Sequence, residues 1–186
     1  MPEKSALAAQ SLASETTRLD PAAREAWLVV QTRYRFEKKV AAHLSGKGLQ
    51  VLLPLRKENR RWSDRDADVT VPLFPGYAFV CCDRSTMRRL AVLQTAGVMG
   101  FVSFAGAAAV VPNKQIEDLQ LLLSQAVPFS LYPFVKVGQR IRIRGGCLDG
   151  IEGLLTQRDK DKLVISIESI QHSLAIEICG YEIEVI

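Results

Sequence analysis

The side chains in this sequence with the clearest capacity for chemistry are cationic, and they are concentrated in one stretch. Between Arg33 and Arg61 the sequence contains nine Lys and Arg residues but only two Glu. This imbalance is typical of a surface that meets a polyanion, although an ordinary solvated surface explains it equally well. Trp62 follows directly, and an aromatic ring beside a basic track suits single-stranded nucleic acid, because bases can stack on it. Packing within a hairpin is the alternative for Trp62.

No residue pattern in the sequence predicts catalysis, a metal site or a cofactor. His43 and His172 fall in different predicted domains, and the sequence shows no nucleophile–histidine pair, carboxylate pair or phosphate-binding Gly-Lys-Ser/Thr loop. Asp64, Asp66 and Asp68 alternate but lack the glycine and the distal glutamate of a calcium loop. We therefore predict a binding protein that is not an enzyme and that needs no cofactor or metal.

The cysteines and the apolar runs indicate the setting of the protein. Cys81, Cys82, Cys147 and Cys179 include no Cys-x-x-Cys pair, so neither a zinc site nor a disulfide framework is predicted. The apolar runs are far shorter than the roughly 18 residues of a membrane span. A hydrophobic content of 48% is sufficient for a folded core. The simplest expectation is a reducing, cytoplasmic location without a membrane partner.

The elements that must position the basic side chains are predicted to form an α+β domain over residues 26–126, after a flexible tail at residues 1–25. An apolar, β-rich run opens the domain, and residues 34–46 repeat apolar side chains at helical spacing. The polar residues 56–67 lie between two β-rich runs, which predicts the tip of a hairpin. The order of elements favours a mainly antiparallel sheet flanked by helices.

The C-terminal part of the chain has a different pattern and predicts a second domain. Residues 127–134 contain two prolines and have an irregular composition, so we predict a linker there. Residues 135–186 contain short β-rich segments separated by Gly and Asp turns, which is typical of a small all-β barrel. This part carries seven basic and eight acidic residues, so the excess of positive charge lies in the N-terminal part.

Five ordered motifs resemble the NusG family. The first four are Trp27-Leu-Val-Val-Gln-Thr, Glu37-Lys-Lys-Val, Pro72-Leu-Phe-Pro-Gly-Tyr-Ala-Phe and Gly97-Val-Met-Gly-Phe-Val, and they resemble the NusG N-terminal (NGN) domain. The stretch that begins Val137-Gly-Gln-Arg looks like a KOW motif, with Gly138, Gly146, Gly150 and Gly153 as its turn and close-approach glycines. The resemblance implies an NGN domain followed by an SH3-like KOW barrel.

The resemblance also implies that the NGN domain docks on the clamp of RNA polymerase, in the largest catalytic subunit. By the matching motifs, the docking residues would be Phe74, Pro75, Tyr77, Phe79, Phe104, Ile116 and Leu119. Desolvated aromatic side chains dominate the binding energy of such interfaces. The alternative for Phe79, Phe104, Ile116 and Leu119 is an ordinary core position. Tyr77 is the better interface candidate, because its hydroxyl suits a half-exposed position.

Two further contacts are implied by the resemblance. The opposite jaw of the clamp would be met by Thr86, Met87, Arg88 and Arg89. The nontemplate DNA strand of the transcription bubble would be met by Arg33, Arg35, Lys38, Lys39, His43, Arg60, Arg61 and Trp62. Binding both jaws would hold the clamp closed and oppose pausing. A solvated helix face is the alternative for the arginines of the jaw contact, and packing is the alternative for His43.

Two segments look more like the specialised RfaH and UpxY groups than like general NusG. They are Arg61–Arg65, which precedes the Pro72 motif, and Ile170–Glu177, which replaces a Gly-Arg-x-Thr-Pro-like turn. We therefore predict a specialised elongation or antitermination factor that suppresses pausing or termination on selected operons. The departure at Ile170–Glu177 argues against Rho binding, and a ribosomal protein stays open as a partner of the KOW domain. The alternatives are a housekeeping NusG-type elongation and termination factor and, from another class, a KOW ribosomal or RNA-binding translation module.

Overall fold

The structure is a computed structural model that describes residues 25–62, 65–83, 86–125, 127–156 and 161–186. The predicted tail, apart from Glu25, lies outside the described residues, and so does Asp64. The side chains of residues 59–67 and of Thr86 also lie outside the description. In the described ranges, no helix has the length and the apolar character that crossing a membrane requires.

A five-stranded antiparallel sheet forms the centre of the N-terminal domain. Its strands are β1 (Glu25–Thr32), β2 (Gln50–Leu52), β5 (Tyr77–Asp83), β6 (Val98–Phe101) and β9 (Val110–Val111). The strand order is β2-β5-β1-β6, and β9 also pairs with β1. In the register between β1 and β5, Leu28 pairs with Val80 and Val29 pairs with Phe79. The apolar run that predicted the first strand is therefore the centre of the sheet.

Both faces of β1 are buried, because successive side chains of a strand point to opposite faces. Leu28 and Val30 join an apolar cluster that includes Val40 of the first helix. Trp27 and Val29 join a second cluster, which includes buried residues of the third helix and of the C-terminal part. This double burial explains why β1 reads as a continuous apolar run instead of an alternating pattern.

Helices within the described residues are α1 (Glu37–Gly46), α2 (Thr86–Leu93) and α3 (Asn113–Ser124). Helix α1 begins at Glu37, later than the predicted residue 34, and the preceding Arg35 has a φ of 66°, outside the helical region. The buried carboxylate of Glu37 accepts a hydrogen bond from the backbone N–H of Gly76 at 2.8 Å. The start of α1 is thereby attached to the turn that leads into β5.

The predicted hairpin is present as β3 (Leu55–Trp62) paired with β4 (Arg65–Pro72), but most of residues 56–67, predicted to be its tip, belong to the two paired strands. The ammonium of Lys38 on α1 donates a hydrogen bond to the backbone oxygen of Thr70 at 2.6 Å, which holds β4 against the helix. A second, smaller hairpin pairs β7 (Ser103–Phe104) with β8 (Ala107–Ala108).

The C-terminal part is a six-stranded antiparallel sheet that fits the predicted small barrel, and we call it the C-terminal barrel. Its strands are β10 (Phe129–Tyr132), β11 (Gln139–Arg144), β12 (Glu152–Leu155), β13 (Lys162–Ile167), β14 (His172–Glu177) and β15 (Glu182–Val185), in the order β10-β14-β13-β12-β11-β15. Strand β10 lies inside the segment predicted to be a linker, residues 127–134. Because β10 pairs with β14 along its whole length, that segment is part of the sheet and not only a connection.

The four predicted KOW glycines occupy turns and tight contacts of the barrel. Gly146 and Gly150 have φ values of 72° and 84°, in the left-handed region. Gly138 and Gly153 lie against neighbouring backbone. A Cβ at Gly153 would lie only 2.7 Å from the backbone oxygen of Val164, so strands β12 and β13 approach too closely for any side chain there.

The N-terminal domain and the C-terminal barrel share one apolar core. Ile116 and Leu119 on α3 belong to the same buried cluster as Ile165, Ile167 and Leu174 of the barrel. The cluster also includes Trp27, Val29, Phe74 and Phe79 of the N-terminal sheet. The barrel therefore covers the side of the N-terminal sheet that is opposite to α1.

Candidate functional site

The residues predicted to dock on the polymerase clamp divide sharply by burial. Phe74, Phe79, Ile116 and Leu119 are buried, and Tyr77 is half-buried. Phe104 is 56% exposed in the β7–β8 hairpin, so the alternative of an ordinary core position is wrong for this residue. Pro75 is also exposed. The structure therefore brings most of the predicted docking set into the shared core and leaves Phe104 and Pro75 at the surface.

An imidazole ring from the barrel covers the aromatic residues of this set. The ring of His172 lies edge-on to the ring of Phe74, with centroids 5.6 Å apart, and edge-on to Tyr77, with centroids 6.0 Å apart. Phe74 in turn meets Phe79 edge-on at 6.1 Å. The Nδ1 atom of His172 lies 2.6 Å from the backbone oxygen of Ile170, which fixes the ring orientation. We call Phe74, Tyr77 and Phe79 the aromatic face.

Polar side chains of α3 fix the barrel from the other side of the contact. The Lys114 ammonium donates to the backbone oxygen of Gly150 at 2.6 Å, and the Gln115 amide donates to the backbone oxygen of Ser166 at 3.2 Å. Asp118 accepts a hydrogen bond from the backbone N–H of Glu152 at 3.3 Å. Lys114 and Asp118 also form an ion pair one helical turn apart. We call Lys114, Gln115 and Asp118 the interdomain latch.

The electrostatics of the latch depend on the burial of one carboxylate. The Asp118 side chain is only 4% exposed, and burial raises its pKa, although hydrogen bonding and charge from Lys114 oppose the rise. Across the contact, a hydrogen bond from Arg142 lowers the pKa of Glu152. Arg142 donates to the Glu152 carboxylate at 2.6 Å and also pairs with Glu184. A buried acid of α3 thus lies beside an ionised cluster of the barrel.

Neither His172 nor the interdomain latch was among the predicted site residues. The sequence offered His172 only as a histidine without a catalytic partner. Lys114, Gln115 and Asp118 are polar residues of α3, the helix from which only Ile116 and Leu119 were predicted as site residues. The interdomain contacts of both groups join residues 34 or more positions apart in the sequence, and no periodic pattern predicts such a pairing.

The residues predicted to meet the opposite clamp jaw lie on α2, which follows the C-terminal end of β5. Met87 is 80% exposed, and Leu90 on the same helix is exposed as well. Arg88 forms an ion pair with Glu25 at 3.0 Å, and the Arg89 guanidinium lies 5.4 Å from the ring centroid of Phe101. Met87 and Leu90 are therefore accessible on this helix while Val92 is buried, and both arginines already have intramolecular contacts.

The basic residues predicted to meet DNA have different environments. Arg33, Arg35, Lys39 and His43 are exposed, so packing is the wrong alternative for His43. Lys38 is exposed too, and its ammonium is hydrogen-bonded to strand β4. The side chains of Arg60, Arg61 and Trp62 lie outside the described part, and their backbone forms the end of β3.

The cysteines and acids of the described ranges show no grouping suited to a metal ion. Cys81 and Cys82 lie at the end of β5, where burial raises the pKa of both thiols. Raising the pKa of a thiol reduces its thiolate fraction and its reactivity. Neither thiol therefore has the lowered pKa of an activated nucleophile.

Comparisons with known proteins agree with this architecture. The family profile described as "Transcription termination factor nusG" matches residues 25–120. The transcription termination/antitermination protein NusG of Lactococcus lactis is 27% identical over 175 residues, which cover 86% of this chain and 92% of that protein. The protein of the same name in Borreliella burgdorferi is 25% identical over 180 residues, covering 86% of this chain and 97% of that protein. The solved structure of Thermotoga maritima NusG has the same fold, with a TM-score of 0.51 at 23% identity over 89% of this chain and 99% of that one.

Proposed function

This chain belongs to the NusG family of transcription termination and antitermination factors, and on that premise we propose that it binds RNA polymerase through the aromatic face and the adjoining side of α3. It is a transcription factor and not an enzyme. The observation that carries the proposal is the composition of this surface. Phe74, Tyr77, Phe79, Ile116 and Leu119 form a continuous apolar area that is buried partly by the barrel. Such anchors at a desolvated centre give an interface most of its affinity.

Binding of polymerase at this surface requires displacement of the C-terminal barrel. His172 contacts the aromatic face, and the latch residues of α3 are hydrogen-bonded to barrel backbone. A polymerase clamp and the barrel therefore compete for the same side chains. The apparent association constant for polymerase is then the association constant of the open form multiplied by the fraction of molecules that are open.

We propose a general NusG-type role in elongation and termination as the first function. The relatives in Lactococcus lactis and Borreliella burgdorferi are NusG termination/antitermination proteins, and this chain aligns with nearly their whole length. A role of this kind includes contact with both clamp jaws, the second of them through the exposed Met87 and the neighbouring residues of α2. Closing the clamp in this way would change pausing by a population shift.

The specialised antitermination role on selected operons is the second candidate, and one observation favours it. A factor whose docking surface is covered engages polymerase only when something opens it, which suits conditional use. The covering residue His172 lies within Ile170–Glu177, the segment that departs from the general pattern. The resemblance of Arg61–Arg65 to the RfaH and UpxY groups supports the same reading.

A role of the barrel in binding ribosomal RNA is disfavoured by its ion pairs. Arg140 and Arg142 pair with Glu152, and Arg142 and Arg144 pair with Glu184. These guanidinium groups are neutralised within the barrel, which weakens their attraction for phosphates. Contact of the barrel with a ribosomal protein remains compatible with this charge distribution.

Single-round transcription with purified RNA polymerase tests the proposed function. Pause dwell times and readthrough of a Rho-dependent terminator are compared with and without the full chain, on an ordinary template and on templates carrying the upstream region of its own gene. An effect on every template, with enhanced Rho termination, supports the general role. Antitermination confined to certain templates supports the specialised role. No change in dwell or readthrough on any template, and no binding to polymerase, would contradict both.

A further inference from the structure

The turn between β1 and α1 presents an exposed tyrosine among exposed cations. Tyr34 is 68% exposed, and it lies between Arg33 and Arg35 in the chain. The guanidinium carbon of Arg35 is 5.5 Å from the centroid of the Tyr34 ring. A large aromatic side chain with this exposure makes little contribution to the core of the domain. Its place in the turn therefore calls for another explanation.

Backbone contacts hold this turn in one conformation. The N–H of Arg33 donates to the oxygen of Gly97 at 2.8 Å, and the N–H of Phe36 donates to the oxygen of Arg33 at 3.0 Å. Phe36 packs directly against Gly97, where an added Cβ would lie 3.0 Å from its ring. Between these fixed points Arg35 adopts a φ of 66°, a conformation that non-glycine residues seldom adopt and that the surrounding contacts must maintain.

The exposed charged side chains nearest to Tyr34 in sequence are all positive. Arg33, Arg35 and Lys39 are exposed, and none of them forms an ion pair with a described residue. The Lys39 ammonium lies 5.3 Å from the centroid of the Phe36 ring. The acidic residue of this segment, Glu37, is buried and binds the Gly76 N–H. The turn thus combines a fixed backbone, an accessible ring and cations that are exposed to solvent.

We propose that Tyr34 is a stacking platform for an unpaired base of single-stranded DNA, with Arg33, Arg35 and Lys39 contacting the flanking phosphates. A basic track with an aromatic ring on which a base stacks is the arrangement that single-strand binding requires. Arg35 has two roles in this site, because its guanidinium covers part of the ring and also adds charge beside it. The inference deepens the proposed function, on which it rests for the assignment of the strand to the transcription bubble.

Fluorescence anisotropy with the full chain and a labelled single-stranded oligodeoxythymidine tests the proposal. Tyr34→Ala should weaken binding about tenfold or more, whereas Tyr34→Phe should bind as the wild type does, since it keeps the ring. Val137→Ala is the control, because Val137 is an exposed apolar residue of the C-terminal part, outside the basic turn and the polymerase-docking set. Arg35→Ala should lower the slope of log affinity against log salt by about 0.7, while Tyr34→Ala leaves the slope unchanged.

Three results would overturn the proposal: no binding of the wild-type chain at low salt, equal binding by wild type and Tyr34→Ala, or tighter binding of the matching oligouridine than of the DNA. Polymerase binding is measured on the same proteins in parallel. If the wild type binds polymerase but Tyr34→Ala leaves the affinity for DNA unchanged, the stacking site is refuted and the proposed function is preserved. If Tyr34→Ala weakens DNA binding but the wild type does not bind polymerase, only the proposed function is refuted.

Discussion

The imidazole ring of His172 meets the ring of Phe74 edge-on, with 5.6 Å between their centroids. This contact joins a strand of the C-terminal barrel to the turn before β5, nearly one hundred positions away in the sequence. Its position means that the aromatic face is covered by the chain itself. The behaviour of the protein then depends on how easily the two parts separate.

His172→Ala should loosen the interdomain contact without unfolding either part. The substitution removes two edge-on aromatic contacts, each worth about 0.5–1.5 kcal/mol. Amide hydrogen exchange should therefore show faster exchange in α3 and in β14, with the core of β1 unchanged. His43→Ala is the matched control, because His43 is exposed on α1 and should leave exchange unaltered. Unchanged exchange in the His172 variant would show that this ring does not hold the barrel.

Asp118→Ala should open the interdomain latch. The change removes the acceptor for the Glu152 N–H and the partner of Lys114, and a buried donor left without its acceptor costs about 1–3 kcal/mol. The exchange rate of the Glu152 amide reports this opening directly. Glu117→Ala, an exposed neighbour on the same helix, should leave that rate unchanged. If both variants protect the Glu152 amide as the wild type does, the latch has no role in closure.

The closed arrangement should become more stable as the pH falls toward about 4. Burial raises the pKa of Asp118 above its ordinary value of 3.8, so the closed form binds a proton more readily than an open form in which this carboxyl is solvated. The wild type should therefore gain closed-state stability, relative to Asp118→Asn, as the pH falls through the raised pKa toward 3.8. The difference in Glu152 amide protection between the two proteins measures this effect. If the difference does not change with pH, or if it shows the closed state of the wild type losing stability as the pH falls, the carboxyl of Asp118 is not the group responsible.

Gly153→Ala should destabilise the barrel. The new methyl group would lie 2.7 Å from the backbone oxygen of Val164 and 2.8 Å from a side-chain carbon of Leu163, and such overpacking typically costs about 1–3 kcal/mol. The midpoint of urea unfolding should fall. Gly100→Ala is the matched control, because a Cβ there meets no atom within 4 Å. Equal midpoints for the two variants would show that β12 and β13 can move apart without loss of stability.

The parts of the fold that the sequence predicted are those controlled by local pattern. The apolar run at residues 27–30 predicted β1, and the Gly and Asp turns after residue 135 predicted the short strands of the barrel. The α+β class and the antiparallel sheet are confirmed. Strand β10 was missed, because the prolines at residues 128 and 133 indicate a linker and its pairing with β14 is a tertiary effect.

The candidate site was predicted only in part, for the same physical reason. The motif containing Phe74, Tyr77 and Phe79 is local, and so the sequence identified it. The ring of His172 and the carboxylate of Asp118 reach their partners across the domain interface, which no spacing within one element reports. The conformation of the turn that holds Tyr34 and the left-handed Arg35 also depends on contacts with Gly97, and no local pattern in the sequence predicts it.

The affinity of the full chain for purified RNA polymerase, compared between wild type and Asp118→Ala, tests the central claim most directly. Asp118→Ala should bind about fivefold tighter or more, because a larger fraction of molecules exposes the aromatic face. Glu117→Ala should bind as the wild type does, and adding Tyr77→Ala to Asp118→Ala should abolish the gain. Faster exchange of the Glu152 amide in Asp118→Ala, together with equal or weaker polymerase binding, would contradict the claim that the barrel and polymerase compete for this face.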